Sequence, residues 1–103
     1  MSTPYLVHQI ALNLFGERYI VVNGNTVQFH NHCYYVRCID TPGHPHRGDW
    51  YLEDANTGLA MLSDETFAPP GHYGTIFARQ TGDIVAQDSK RAIPLKPRAG
   101  VCQ

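Results

Sequence analysis

After residue 16 the apolar residues change from helical spacing to the two-residue spacing of β-strands, and this change most constrains the fold. Residues 4–16 carry apolar side chains at helical spacing, and Gly16 suits the end of a helix. Downstream, turn signals recur roughly every 8–12 residues and leave no room for a crossover helix. The sequence therefore predicts a mainly β protein. One N-terminal helix packs on a single antiparallel sheet of about 7–8 short strands, curled into a roll or small barrel.

Three predicted hairpins supply most of these strands. Asn-Gly at 23–24 readily takes the positive φ values of a tight turn. The other two turns end in Thr-Gly, at Gly58 and Gly82, where a type I turn leads into a bulge. The two glycines lie 24 residues apart, which indicates two hairpins of similar construction but is too little for a repeat architecture.

The length fits one domain, 1–103, with helix 4–16, an antiparallel β region 18–95 and a basic tail 96–103. No run approaches about 18 apolar residues, and the N-terminus lacks a basic region and a cleavage site, so we expect neither a membrane span nor a signal peptide. Three cysteines, an odd number, favour reduced thiols and a cytoplasmic protein. Cys33 and Cys38 lie too far apart along one strand to bond each other.

The charges are spread unevenly along the chain. All nine acidic residues lie at or before Asp88, whereas four of the eight basic residues follow it. A basic tail can dock phosphates. Four charges near a terminus more often keep it solvated or pair with the protein's own acidic face, so we do not expect nucleic-acid binding. The four basic residues are Lys90, Arg91, Lys96 and Arg98.

Two loops contain Pro-Gly-His, at residues 42–44 and 70–72. We call the end of the sheet at which Asp40 leaves its strand the top. With strand 50–54 descending, 59–63 rising and 75–79 descending, both loops fall at the top. The sequence therefore predicts a ligand-binding pocket between these loops. Its residues are His44, His46, His72, Asp40, Asp49 and Tyr73.

Two interpretations of this pocket stay open. Neutral imidazoles are common ligands of transition metals, and two histidines at i and i+2 plus one from a second loop match a three-ligand site with an open position. In the other interpretation, both loops are Pro-Gly type II turns followed by exposed histidines. His30 and His32 lie a strand's length below the top and are predicted to be polar residues of a hairpin turn. The alternative is a local site of His30 and His32 with Cys33 or Cys38.

The string TPGHPHRGDW, at 41–50, resembles the first metal motif of cupins, small β-barrels in which His-x-His contributes to a metal site. The resemblance implies one divalent transition metal bound by His44, His46 and His72. A cupin places a glutamate about three or four residues after the second histidine. Here Glu53 comes seven residues after it, which is a departure from the motif.

Adjacent aromatic residues in the central strands indicate a second surface. Consecutive strand residues face opposite sides, so Tyr34/Tyr35 and Trp50/Tyr51 each place one ring in the core and one on the outer face. One short helix cannot cover a whole sheet. We therefore predict a homo-oligomer with Tyr35, Tyr51 and Trp50 at its interface.

The sequence contains neither a Walker pattern nor G-x-G-x-x-G, and no cysteine and histidine in it form an evident catalytic pair. It therefore favours a cytoplasmic β-rich binding module without catalytic activity or cofactor, whose small-molecule or protein ligand the sequence does not identify. The alternative is a metal-dependent enzyme or sensor built on His44, His46 and His72.

Overall fold

The computed structural model describes residues 3–62, 67–68 and 72–87 of the 103-residue chain. These residues form one helix and eight strands, and every strand pair is antiparallel. The predicted mainly β fold, with one N-terminal helix and an antiparallel sheet, is confirmed. A strand predicted at 91–95 and the tail 96–103 lie outside the described residues. The elements are α1 Thr3–Phe15, β1 Ile20–Val22, β2 Thr26–Phe29, β3 His32–Cys38, β4 Trp50–Asp54, β5 Ala60–Met61, β6 Phe67–Ala68, β7 Thr75–Phe77 and β8 Ile84–Gln87.

The sheet formed by the described residues is branched and does not close into a barrel. Strands β1 to β6 pair in chain order, while β7 pairs with β4 and β8. β4 therefore divides its second edge between two strands. Glu53 pairs with Ala60 of β5, and Trp50 pairs with Phe77 of β7. The predicted roll or barrel is not confirmed.

The helix packs on one face of the sheet through its apolar stripe. Phe15 stacks on Phe29 of β2, with ring centroids 4.2 Å apart. Gly16, at φ 71°, ends the helix, and its N–H donates to the Leu12 carbonyl at 3.0 Å. The helix residues buried in the core are Leu6, Val7, Ile10, Ala11 and Phe15.

The two Thr-Gly hairpins repeat one set of hydrogen bonds at positions 24 residues apart. The Gly58 N–H donates to the Asp54 carbonyl at 2.9 Å. In the second hairpin, the Gly82 N–H donates to the Ala78 carbonyl at 2.8 Å. Both glycines have φ 76°, a value that is strained for other residues. The prediction that the two hairpins are built alike is confirmed.

β7 runs opposite to the predicted direction. β4 descends from the top, and β7 is antiparallel to it, so β7 rises toward the top. The cause is β6, which the sequence did not indicate and which adds one reversal between β5 and β7. The turn after β7 therefore lies at the top, and His72, the described residue of the second Pro-Gly-His segment, precedes the lower end of β7.

The strand register assigns the aromatic rings to faces of the sheet. Tyr35 and Tyr51 lie on the face away from the helix, which we call the outer face. Trp50 pairs with Cys38 and Phe77, and it packs against the core on the helix side. Trp50 therefore does not lie on the outer face with the other two residues of the predicted interface.

Two cysteines lie in the described residues. Cys33 is free and half-buried, so it is not bonded to Cys38, as predicted. Cys38 is disulfide-bonded, so the expectation of reduced thiols holds for Cys33 alone. That bond weakens the argument from thiols to a cytoplasmic setting. In the ranges that the structure describes, no helix has the length and apolar character needed to cross a membrane.

Candidate functional site at the top loop

The connection between β3 and β4, residues 39–49, is held by backbone hydrogen bonds and is called the top loop here. At its base, the Ile39 N–H donates to the Asp49 carbonyl at 2.7 Å. At its tip, the His44 N–H donates to the Thr41 carbonyl at 3.2 Å, and Gly43 has φ 79°. These values match the Pro-Gly turn that the sequence predicts. The turn and the base together fix the position of His44.

His44 presents a buried hydrogen-bond donor. Its Nδ1 accepts the backbone N–H of His46 at 3.0 Å, so a neutral ring carries its proton on Nε2. Burial lowers the pKa of His44, the charge of His46 lowers it further, and Asp49 partly opposes both. The ring is therefore neutral at neutral pH. Its Nε2 is buried and has no hydrogen-bond partner in the described part of the chain.

Asp49 connects the top loop to the turn that follows β7. Its Oδ2 lies 3.3 Å from His46 Nδ1, and its Oδ1 accepts the Arg79 backbone N–H at 3.2 Å. The Arg79 guanidinium packs on Gly48, where a Cβ would lie 3.0 Å from Nη1. Arg79 is thereby placed beside the top loop.

Four aromatic side chains lie in a row that runs from the top loop onto the outer face. We call them the ring row, and they are His46, His44, Tyr73 and Tyr51. The Tyr51 and Tyr73 centroids are 4.0 Å apart with rings at 76°, and the two side chains are hydrogen-bonded. Burial raises the pKa of both tyrosines, so both hydroxyls stay protonated. The Tyr73 and His44 ring centroids are 6.4 Å apart with the rings at 81°, and the His44 and His46 centroids are 6.1 Å apart.

The other predicted pocket residues are placed differently. Asp40 lies 3.6 Å from Arg47 Nη2. His72 is half-buried, and its Nδ1 has no hydrogen-bond partner among the described residues. The contact with His44 is made by Tyr73. Within ranges 3–62, 67–68 and 72–87, no group of three or more His, Cys, Asp or Glu side chains could hold a metal ion. The three-histidine metal site stays a prediction that the observed contacts do not support.

The sequence did not predict the position of Arg79, because the predicted direction of β7 put that residue at the wrong end of the sheet. The available signal was the short pair Phe67-Ala68, an apolar dipeptide between turn residues, which forms β6 and reverses β7.

A second histidine–carboxylate pair lies at the bottom of the sheet. Asp54 is 1% exposed, and its Oδ1 accepts the N–H groups of Asn56 at 2.8 Å and Thr57 at 2.9 Å. Its Oδ2 lies 3.1 Å from His32 Nδ1. Burial raises the pKa of Asp54, but hydrogen bonds from Thr57, Asn56 and His32 outweigh burial and lower it overall. We assign Asp54 a structural role, because its carboxylate accepts from two N–H groups of the hairpin turn between β4 and β5.

Comparisons with known proteins add no relative to this picture. No family model matches the sequence, and searches of curated proteins and of solved structures give no match. The features of this chain that bear on function are the His44 donor, the ring row and the guanidinium of Arg79.

Proposed function

We propose that this chain is a small binding module without catalytic activity, and that it binds a small molecule bearing hydrogen-bond acceptors at the top loop. The observation that carries the proposal is the His44 Nε2–H, which is buried beside Tyr73 and has no acceptor in the described residues. An unpaired buried donor costs about 1–3 kcal/mol. Because Nε2 is buried, a ligand oxygen reaches it only when the neighbouring side chains move, and the new hydrogen bond then recovers that free energy on binding.

The ring row supplies the apolar part of the proposed site. Ligand sites are mostly apolar surfaces with a few placed polar groups. The Tyr73 ring lies beside the His44 ring and nearly perpendicular to it, and the Tyr51 ring packs against Tyr73. Aromatic rings pack edge to face or offset with other planar groups. These features favour a planar ligand that carries a carbonyl or carboxylate oxygen.

A fragment screen by ¹H–¹⁵N NMR tests this proposal. We expect hits whose shift changes cluster in the top loop and at Tyr73. The variant His44→Asn should weaken those hits by about fivefold or more, because the Nε2–H donor is lost. The asparagine oxygen can still accept the His46 N–H, so the loop should keep its shape.

His30→Asn is the matched control, since His30 lies at the bottom turn with φ 56°, a conformation that asparagine tolerates. It should leave the affinity of the same hits unchanged. A screen in which hits map elsewhere, or in which both variants bind equally well, would contradict the proposed site.

We also propose that the module self-associates through the outer face near β1. Ile20 is 61% exposed and Tyr35 is 38% exposed. The strand register puts both on the outer face. Such exposed apolar side chains on one face favour an interface.

Light scattering coupled to size exclusion tests self-association. A mass of at least twice 11.5 kDa is expected at micromolar concentration. Tyr35→Lys should shift the protein toward monomer, whereas Tyr5→Lys, a matched change at an exposed helix position, should not. A monomeric wild-type protein ends this part of the proposal.

A further inference from the structure

The acidic side chains of the top loop already have partners. Both carboxylate oxygens of Asp49 are engaged, one with His46 and one with the Arg79 backbone N–H. Asp40 faces Arg47 at 3.6 Å. These two acids are therefore committed to groups other than the His44 donor, which needs an acceptor from elsewhere.

Each of the other three arginines in the described residues has either a carboxylate or an aromatic ring against its guanidinium, and Arg79 has neither. Arg18 lies over the Phe29 ring, Arg37 lies 2.9 Å from Glu53, and Arg47 pairs with Asp40. Among residues 3–62, 67–68 and 72–87, no carboxylate lies within 4.0 Å of the exposed Arg79 guanidinium. The position of the Arg79 guanidinium is restrained by two contacts. The Arg79 backbone N–H donates to Asp49 Oδ1, and the guanidinium packs on Gly48.

We infer that the ligand of the proposed site carries an anionic oxygen group, a carboxylate or a phosphate, and that Arg79 binds this group. The inference rests on the proposed function and narrows its ligand class. A guanidinium with a fixed backbone presents paired N–H donors that match carboxylate and phosphate oxygens. Arg79 lies beside the same top loop, where it contacts Asp49 and Gly48, and a neutral ligand would leave its charge without a partner among the described residues.

NMR titrations with benzoate, phenyl phosphate and benzamide test the inference. At least one of the two anions should bind at the top loop roughly three- to tenfold more tightly than benzamide. Whichever anion binds more tightly identifies the oxygen group as carboxylate or phosphate. Arg79→Gln should reduce the advantage over benzamide to less than about twofold.

Arg18→Gln is the matched control, because Arg18 lies by Phe29 at the other end of the sheet, and it should keep the full preference for the anion. Benzamide that binds the top loop as tightly as both anions would overturn the inference and leave the proposed function standing. An anion preference that survives Arg79→Gln would overturn it as well. If none of the three probes binds and the fragment screen gives no hit at the top loop, the proposed function fails too.

Discussion

Gly74→Ala is expected to lower the free energy of unfolding by about 3 kcal/mol, which corresponds to a fall in Tm on the order of 15 °C. A Cβ at this position would lie 1.9 Å from Leu62 Cδ2 and 2.8 Å from Leu62 Cα. The leucine side chain can rotate away, but its Cα moves only with the backbone. The segment around Tyr73 would therefore lift from the sheet. Urea unfolding followed by circular dichroism measures the loss.

A double-mutant cycle with Leu62→Ala separates the clash with the Leu62 side chain from the clash with its Cα. Leu62→Ala itself should cost about 2–4 kcal/mol, because Leu62 is buried. In that background, Gly74→Ala should cost about 1 kcal/mol less than in the wild-type chain, since the side-chain part of the clash is gone. A loss below about 1 kcal/mol for Gly74→Ala alone contradicts the close approach of the two segments.

Asp54→Ala is expected to lower the free energy of unfolding by about 2–4 kcal/mol. The carboxylate accepts the N–H groups of Asn56 and Thr57 in the hairpin turn and contacts His32. Alanine removes all three interactions and leaves the two turn N–H groups without their acceptor. Thermal and urea unfolding at neutral pH provide the measurement.

Asp54→Asn is the matched variant for the charge, because its side-chain oxygen can still accept from the turn. The folded pKa of Asp54 is lowered, so the charged form contributes stability above the unfolded pKa of about 3.9. That contribution is lost as pH falls through the lower folded pKa. The difference between wild type and Asp54→Asn should therefore shrink as the solution is acidified below about pH 4. A difference that does not change with pH contradicts the assignment.

Local sequence signals predicted the hairpins well. Asn23 and Gly24 both have positive φ, and the turns at Gly58 and Gly82 have equal φ values. Such turns depend on a few neighbouring residues, so the sequence carries the information. β6 was not predicted, because a pair of two residues, Phe67-Ala68, shows no alternation over several positions. Its pairing depends on contacts with β5 instead.

The candidate site was also predicted only in part, because some of its features depend on local sequence and others on the pairing of distant strands. The Pro-Gly turn at Gly43 and the loop position of His44 follow from local sequence. The contact of Tyr73 with Tyr51 and the position of Arg79 depend on how distant strands pair. Because the reversal at β6 was not predicted, the predicted direction of β7 was wrong, and so was the predicted end of the sheet for Arg79.

The His44 side chain offers the most direct test of the central claim, which is that its Nε2–H is an unpaired donor awaiting a ligand oxygen. Long-range ¹H–¹⁵N NMR of the ring reports the tautomer, with and without a saturating concentration of the best top-loop fragment. We predict a neutral ring protonated on Nε2 in both samples, and an Nε2–H signal that moves downfield and exchanges more slowly when the fragment is bound. A ring protonated on Nδ1, or an Nε2–H signal unchanged by a fragment that binds the top loop, would contradict the claim.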